Sequence, residues 1–277
     1  MIRLCLAGVL LAGCALAPVP DTPSIKAGPP ALEAAQIMPA SFETEPGLTG
    51  AEIIARAHEA AGGESWVRPG RLKLTGYNII YRPEGTVMWD RYAMWRVFGD
   101  EKRDAHVASG KVRIEAWTGD DLAMLIAFDG AATSNQDGPM EDQSANAMWS
   151  NNFGFGAIRN ALDEGWTQTR KQDRLIDGAP AHMVALSDPS GGETLFGIRQ
   201  NDAAILYVGF DTPRGWHERR YSHFYTKPGI GWVQPGRVRL FYDGVKANEA
   251  VWTDFDLTGE FDDALFTITE APTAPTF

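Results

Sequence analysis

The first periodic run of apolar residues predicts an amphipathic helix. Ile53, Ile54 and Ala57 recur at helical spacing, so they share one face. The segment Thr49-Gly50-Ala51-Glu52 before them matches a capping box, in which the threonine and the glutamate each bond a backbone amide of the other. Gly62 is expected to end the helix, because glycine readily takes the left-handed conformation found at helix C-termini.

Beyond Pro69 apolar and polar residues alternate, which predicts strands separated by glycine-containing turns. The predicted strands cover residues 72–81, 86–98, 111–118, 121–128, 167–176, 182–186, 194–200, 205–210, 216–225, 237–242 and 249–257. The apolar set changes phase at Gly76, which indicates a β-bulge. One helical insertion is expected from Gln143 to Glu164. About ten antiparallel strands in meander order with few helices predict a mainly β (α+β) fold rather than a doubly wound one.

The strand from Thr86 to Phe98 carries large apolar side chains on both faces. Val87, Trp89, Trp95 and Val97 alternate with Met88, Tyr92, Met94 and Phe98. A sheet with one solvated face would alternate more cleanly, so we expect a partly empty apolar hollow beneath the predicted helix around Met148 to Leu162. The candidate lining residues are Trp89, Tyr92, Trp95, Met148, Trp149 and Phe155. The alternative is that these side chains fill an ordinary core.

The N-terminal segment has the order of a secretory signal. Arg3 precedes an apolar run from Leu4 to Leu11, which is too short to span a bilayer as a stable helix. The sequence Leu11-Ala12-Gly13-Cys14 resembles the lipobox of bacterial lipoproteins, in which the cysteine thiol receives a diacylglycerol and becomes the first residue of the mature chain. The alternative is an ordinary signal peptide that contains a cysteine.

This resemblance divides the chain into three parts. They are a signal peptide over residues 1–13, a lipidated N-terminus with a proline-rich tether over residues 14–48, and a folded domain over residues 49–277. Ala15 stands where aspartate is associated with inner-membrane retention in some bacteria. We therefore expect a lipid-anchored protein of the cell envelope, held in the outer membrane and facing the periplasm.

Composition excludes two classes of function. The formal net charge is −11, and no basic face is visible that would neutralise phosphates, so no nucleic-acid partner is expected. Cys5 lies within the predicted signal, so Cys14 would be the only cysteine of the mature chain. A disulfide, a cysteine metal site and a catalytic thiol are then excluded.

No motif nominates a catalytic residue, a cofactor or a metal. His217 and His223 are expected on one face of a strand but about 20 Å apart, too far to share one ion. Glu218 and Arg220 share the opposite face, where a cross-strand ion pair is expected. No Gly-x-Ser-x-Gly elbow or phosphate-binding glycine loop occurs.

Several turn and strand patterns resemble the LolA/LolB-like lipoprotein-sorting superfamily. The segments that carry the resemblance are Ala57-His58-Glu59-Ala60-Ala61-Gly62-Gly63, Asp177-Gly178-Ala179-Pro180-Ala181-His182, Trp216-His217-Glu218-Arg219-Arg220-Tyr221-Ser222, Gly231-Trp232-Val233-Gln234-Pro235, Arg237-Val238-Arg239-Leu240-Phe241-Tyr242-Asp243-Gly244 and Phe261-Asp262-Asp263-Ala264-Leu265-Phe266. The resemblance covers roughly residues 50 to 267. It implies a curved antiparallel sheet that forms an unclosed half-barrel, with helices lidding the concave face, where characterised members hold acyl chains or other lipophilic ligands.

Three functions follow as hypotheses. The first is a lipid-anchored half-barrel that binds a lipophilic ligand or a lipoprotein acyl chain without a covalent step. The second is a structural or interaction lipoprotein with a filled core. The third is an envelope hydrolase with an unrecognised site. An empty apolar cavity would favour the first, a packed interior the second, and a buried polar cluster that opens to solvent the third.

Overall fold

The computed structural model describes residues 47–99, 104–149 and 155–277. The predicted signal peptide, Cys14 and the tether up to residue 46 lie outside the described residues. The helix predicted after Thr49 is confirmed as α1, Gly50–Ala61. Its capping box is formed as expected, since the Thr49 amide donates to Glu52 Oε2 at 2.8 Å and the Glu52 amide donates to Thr49 Oγ1 at 3.2 Å.

The other helices are short. They are α2 at Glu64–Val67, a 3-10 helix at Gln143–Trp149, α3 at Gly156–Asn160 and a second 3-10 helix at Asp263–Phe266. The single helical run expected from Gln143 to Glu164 is therefore two separate pieces. Phe155 takes a left-handed φ of 68° at the start of α3, which begins there as a new helix. None of the helices in the described part of the chain combines the length and the hydrophobicity that a membrane crossing requires.

The strands form one antiparallel sheet. Their bounds are Arg71–Arg82 (β1), Gly85–Val97 (β2), Lys111–Thr118 (β3), Asp121–Phe128 (β4), Thr133–Asn135 (β5), Gly138–Pro139 (β6), Thr167–Ile176 (β7), Ala179–Ser187 (β8), Glu193–Arg199 (β9), Ile205–Thr212 (β10), Gly215–Tyr225 (β11), Gln234–Tyr242 (β12) and Val245–Asp256 (β13). Every predicted strand is present. The short strands β5 and β6 were not predicted, because two or three residues are too few to show alternation.

The sheet is an open meander in two halves. The strand order is β6-β5-β4-β3-β2-β1-β13-β12-β11-β10-β9-β8-β7, so the first and last strands pair at its centre. The edge strands β6 and β7 do not pair with each other, and the sheet is not closed. This confirms the mainly β fold predicted from the strand pattern and the unclosed sheet that the resemblance implies.

A contact between two loops that are distant in the strand order agrees with a curved sheet. Strands β2 and β9 are six positions apart in the order, about 29 Å in a flat sheet. The Ala105 amide, in the loop after β2, nevertheless donates to Asp188 Oδ2, in the loop before β9, at 2.7 Å. These loops meet over the helical side of the sheet, as expected for a sheet that curls towards that side. We call that side the inner face and the opposite side the outer face.

The phase change at Gly76 is a real irregularity of the sheet. The register of β1 shifts against β13 between Thr75 and Gly76, and against β2 between Gly76 and Asn78. A Cβ at Gly76 would overlap the carbonyl oxygen of Val251 on β13. The irregularity expected at Gly76 is thus confirmed, and the close approach of Val251 explains why the chain needs glycine there.

The two faces carry separate clusters of buried residues. On the inner face, α1 and α2 bury Ile53, Ile54 and Trp66 against the sheet. On the outer face, Trp95 packs with Phe266 of the C-terminal segment, and its ring lies 5.7 Å from that of Phe277. The C-terminal segment thus covers the outer side of β2 and β3.

Candidate ligand-binding cavity

A cavity of about 140 Å³ lies between the inner face of the sheet and the helices. Its walls come from the central strands β1, β2, β11, β12 and β13, with α2, α3 and the segment before β12 above them. The lining residues are Trp66, Leu72, Leu74, Asn78, Tyr92, Met94, Arg96, Phe98, Phe155, Arg159, Arg219, Tyr221, Trp232, Val233, Gln234, Pro235, Val238, Leu240, Asn248, Ala250 and Trp252.

Strand alternation explains which side chains reach this space. On β2 the lining positions Tyr92, Met94 and Arg96 are two residues apart, so all three project from one face. Val238 and Leu240 on β12 follow the same rule. The sheet therefore supplies a mostly apolar floor whose positions are fixed by the hydrogen-bonded strands beneath it.

Aromatic rings form the roof. The Trp66 ring centroid is 5.9 Å from that of Phe155 and 6.4 Å from that of Trp232. Phe155 in turn lies 4.5 Å from Tyr221 on β11, which joins the roof to the wall. Rings at such separations exclude water and still leave irregular gaps between their edges.

Two hydrogen-bonded contacts hold the helices over the cavity. His58 Nε2 on α1 lies 2.7 Å from the carbonyl oxygen of Ile158 on α3. The Arg68 guanidinium, just after α2, donates to both carboxylate oxygens of Asp163 at 3.0 Å. Burial lowers the pKa of His58, against the raising effect of its bond to Ile158. A neutral imidazole that carries its proton on Nε2 and donates it to the Ile158 carbonyl oxygen fits this contact.

Three arginines reach the same cavity. Arg96 and Arg159 are 2% and 4% exposed, and Arg219 is half-buried. The Arg159 guanidinium lies 4.4 Å from the Trp66 ring centroid, and its Nε donates to the Trp66 carbonyl at 2.8 Å. Burial and the neighbouring charge of Arg219 lower the pKa of Arg96 to about 9, so it stays protonated at neutral pH.

Tyr92 and Asn78 add a polar point to the apolar floor. Burial raises the pKa of Tyr92 to about 12, against the charge of Arg219 and a hydrogen bond from the Asn78 side chain. The Tyr92 ring stacks on Trp252 with centroids 5.1 Å apart. The phenol is therefore neutral, held in place, and available as a hydrogen-bonding group rather than as a base.

The structure brings some of the predicted lining residues together and separates others. Tyr92 and Phe155 line the cavity. Trp89 lies beside it, with its ring 6.1 Å from that of Tyr92, because the register shift on β2 turns Trp89 towards the inner face. The expectation that Trp89 and Trp95 lie on the same face of the strand is therefore wrong.

The remaining candidates lie away from the cavity. Trp95 is buried on the outer face, so its expected place in the hollow is wrong. Trp149 is buried in the inner core, where its Nε1 donates to Thr133 Oγ1 at 3.0 Å. Met148 is 55% exposed. The 3-10 helix that carries both residues ends before the cavity roof.

Sequence reasoning missed the charged residues of the site. Arg96 follows Tyr92 and Met94 in strict alternation, which was a usable signal that its side chain faces inward. Arg159 carried no comparable signal, because its burial depends on the position of α3 over α2.

The paired residues of β11 also differ from expectation. Arg220 forms its ion pair with Glu218 of the same strand at 2.7 Å, and a second one with Asp177 at 3.3 Å. The first pair is therefore within the strand rather than across strands, because residues two apart share a face.

His217 is buried, whereas His223 is exposed and has a φ of 57°. The part of the chain that the structure describes holds no group of three or more metal-ligating side chains.

One buried polar cluster lies away from the cavity lining. His182 Nδ1 is 3.0 Å from Asp173 Oδ2, which also accepts hydrogen bonds from Arg170 at 3.1 Å and Gln200 at 2.9 Å. The other ring nitrogen of His182 has no hydrogen-bond partner among the described residues. None of the described residues presents a nucleophile to this histidine, and the cluster ties β7, β8 and the turn after β9 together.

Comparisons with known proteins find similarity in solved structures only. No protein-family model matches the sequence, and no curated protein does. A LolA superfamily protein from Nitrosomonas europaea is 13% identical with a TM-score of 0.48, over 80% of this chain and 98% of that one. An outer membrane lipoprotein-sorting protein domain from Vibrio parahaemolyticus is 10% identical with a TM-score of 0.46, over 78% and 94%. A DUF1329 family protein from Desulfovibrio piger is 12% identical with a TM-score of 0.47, over 78% and 95%.

Proposed function

We propose that this chain is a lipid-anchored protein of the bacterial envelope that binds a lipophilic ligand, or the acyl chain of a lipoprotein, in the cavity. The observation that carries the proposal is the aromatic-roofed space of about 140 Å³ above an apolar floor. A cavity of about 150 Å³ with apolar walls holds a benzene molecule in an engineered protein. The space therefore encloses a ring or a short segment of an acyl chain, and the rest of a longer ligand would extend through the side where the cavity opens to solvent.

Burial of methylene groups would supply the binding free energy. Each CH₂ removed from water contributes about 0.8 kcal/mol. The floor residues Leu74, Met94 and Val238 offer the matching apolar surface, and the flexible thioether of Met94 adapts to an irregular occupant. No covalent step is needed.

The construction of the roof supports reversible loading. The floor belongs to central strands paired on both sides, whereas α2 and α3 are one turn long and are held by contacts such as those of His58 and Arg68. Elements with few contacts open at lower free energy than the core of a sheet. We propose that the ligand enters by displacement of α2 and α3 from the inner face.

The predicted lipidation at Cys14 supports the placement at a membrane. A chain anchored by its N-terminus through the segment up to residue 48 would hold the cavity near the lipid surface from which an apolar ligand comes. We propose the outer membrane, facing the periplasm, because Ala15 follows the cysteine.

A neutral fluorescent probe tests the cavity. We expect the purified full chain to bind N-phenyl-1-naphthylamine with enhanced emission, and Ala250→Trp to reduce that binding at least tenfold, because the indole fills the space next to Trp252. Val251→Trp is the matched control, since the next residue of the same strand points to the other face. Circular dichroism and the melting temperature establish that both variants fold.

The result separates two functions. Loss of binding in Ala250→Trp but not in Val251→Trp supports the cavity as the site. If the unchanged chain binds no apolar probe, the proposal is wrong and the interaction lipoprotein with a filled core becomes the better account.

A further inference from the structure

The cavity concentrates positive charge in a protein that is acidic overall. Arg96, Arg159 and Arg219 line it, and no carboxylate occurs among the described residues of its lining. The whole chain has a formal net charge of −11. Asp and Glu number 36 in this chain, against 25 Lys and Arg. Three arginines around one small apolar space are therefore a specific feature of the cavity.

The three arginines are close enough to act on one another. The charge of Arg219 lowers the pKa of Arg96, and that of Arg96 lowers the pKa of Arg159, in each case in addition to burial. Like charges repel more strongly in a low-dielectric interior than in water. An anionic occupant would interact favourably with all three charges, whereas a neutral occupant would gain no such interaction.

Aromatic rings hold the guanidinium groups in position. Arg159 lies 4.6 Å from the Phe98 centroid and 5.5 Å from that of Trp232, and Arg96 lies 4.8 Å from Phe98. Cation–π contacts of this kind stabilise a buried cation and fix the plane of its donors. The guanidinium groups of Arg96 and Arg159 are therefore held in fixed positions in the wall and roof of the cavity.

We infer that the occupant is an amphiphile with one anionic headgroup, whose head lies among Arg96, Arg159 and Arg219 and whose alkyl chain lies along the apolar floor. The inference rests on the proposed function, because it assumes that the cavity binds a ligand. Guanidinium groups form strong paired hydrogen bonds with carboxylates and phosphates. A fatty acid and a single-chain phospholipid share this chemistry.

A headgroup series tests the inference without any mutation. Dodecanoate, dodecyl phosphate, dodecanol and dodecylamine carry the same chain, and each is used below its micelle concentration to displace N-phenyl-1-naphthylamine from the full chain. We expect the two anions to bind at least tenfold more tightly than the alcohol, and the amine to bind more weakly than the alcohol. A difference between carboxylate and phosphate supports the inference and identifies the source of the ligand.

Substitutions assign the preference to the arginines. Arg219→Gln, at the half-buried position, is expected to reduce the preference for dodecanoate over dodecanol to threefold or less. Arg199→Gln is the matched control, because Arg199 pairs with Asp202 outside the cavity lining. Arg96→Met serves as a second variant, since methionine keeps the volume and loses the charge.

Each outcome has a distinct meaning. Equal binding of anion and alcohol overturns this inference and leaves the apolar cavity standing. A preference that survives in both Arg219→Gln and Arg96→Met overturns the role of the arginines. Failure of the unchanged chain to bind the dye and every chain molecule overturns the proposed function itself.

Discussion

Thr276 is bonded to Glu115 through both its backbone and its side chain. Its amide donates to Glu115 Oε1 at 3.0 Å and its hydroxyl donates to Oε2 at 2.8 Å. Glu115 lies on β3 and is fully buried, and it also accepts hydrogen bonds from Arg113 and Trp117. The C-terminal segment is thereby fastened across the outer face, where it covers Trp95.

Removal of the Thr276 hydroxyl should weaken the fold. Thr276→Val keeps the shape but withdraws one donor from a buried carboxylate, and a hydrogen bond to a charged group is worth about 1.5–3 kcal/mol. Thr258→Val is the matched control, because Thr258 donates to Asp256 in an exposed loop. Urea unfolding should show a loss of that size for Thr276→Val and less than about 0.5 kcal/mol for Thr258→Val. Equal effects would contradict the role given to Glu115.

Stability should fall on mild acidification because of His217. Burial, with the charges of Arg219 and Arg214, lowers the pKa of His217 to about 2, whereas the unfolded chain titrates near 6.5. Below about pH 6.5 the unfolded state therefore binds a proton that the folded state does not. This group should therefore lower the free energy of unfolding by about 1.4 kcal/mol in total between pH 7.5 and pH 5.5, with the slope still increasing as the pH falls.

The matched variants for this test are His217→Phe and His223→Asn. Phenylalanine preserves the stacking on Phe210, where the ring centroids are 4.6 Å apart, and removes the titrating group. Asparagine suits the left-handed φ of the exposed His223. Urea unfolding between pH 7.5 and 5.5 should show a shallower pH slope only in His217→Phe. A slope unchanged by His217→Phe would show that the buried histidine does not set it.

A side chain at Gly76 should disrupt the centre of the sheet. The overlap with the Val251 carbonyl involves backbone on both strands, so it cannot be relieved by a rotamer change. We expect Gly76→Ala to destabilise the protein by about 3 kcal/mol or more, as strain of this kind does. Gly70→Ala, just before β1, meets no atom within 4 Å and should leave the melting temperature nearly unchanged. A stable Gly76→Ala variant would contradict the close approach of β1 and β13.

Local patterns predicted the strands well, whereas the site depends on positions that they do not encode. Alternation placed Tyr92 and Met94 on one face, and the phase change found the irregularity at Gly76. The same alternation misplaced Trp95, because large apolar side chains on the outer face are covered by a segment about 170 residues later in the sequence. Arg159 was missed because its cavity position arises only when α3 packs over Trp66.

The hydrogen bond from Ala105 to Asp188 should hold the loop after β2 against the loop before β9. Asp188 Oδ2 accepts from the Ala105 amide, and its Oδ1 accepts from the amides of Ser190 and Gly192. Burial raises the pKa of Asp188, but these bonds together outweigh it and hold the pKa below its usual value. Asp188→Asn should speed hydrogen exchange at the Ala105 amide about tenfold or more, since loss of a charge-assisted bond is worth about 1.5–3 kcal/mol. Unchanged exchange at Ala105, with Asp202→Asn as control, would show that other contacts hold this loop.

Lipid attachment should depend on one of the two cysteines alone. Cys14 follows the Leu11-Ala12-Gly13 segment, whereas Cys5 lies within the apolar run that is expected to be removed. Cys14→Ser should therefore abolish incorporation of labelled palmitate and leave the chain uncleaved by the lipoprotein peptidase. Cys5→Ser is the matched control and should be labelled and processed like the unchanged protein. Incorporation of palmitate into Cys14→Ser would contradict the lipobox.

In sucrose gradients the unchanged protein should sediment with the outer membrane, because Ala15 is not the residue associated with inner-membrane retention. Recovery of the unchanged protein in the inner-membrane fraction alone would contradict the expected destination.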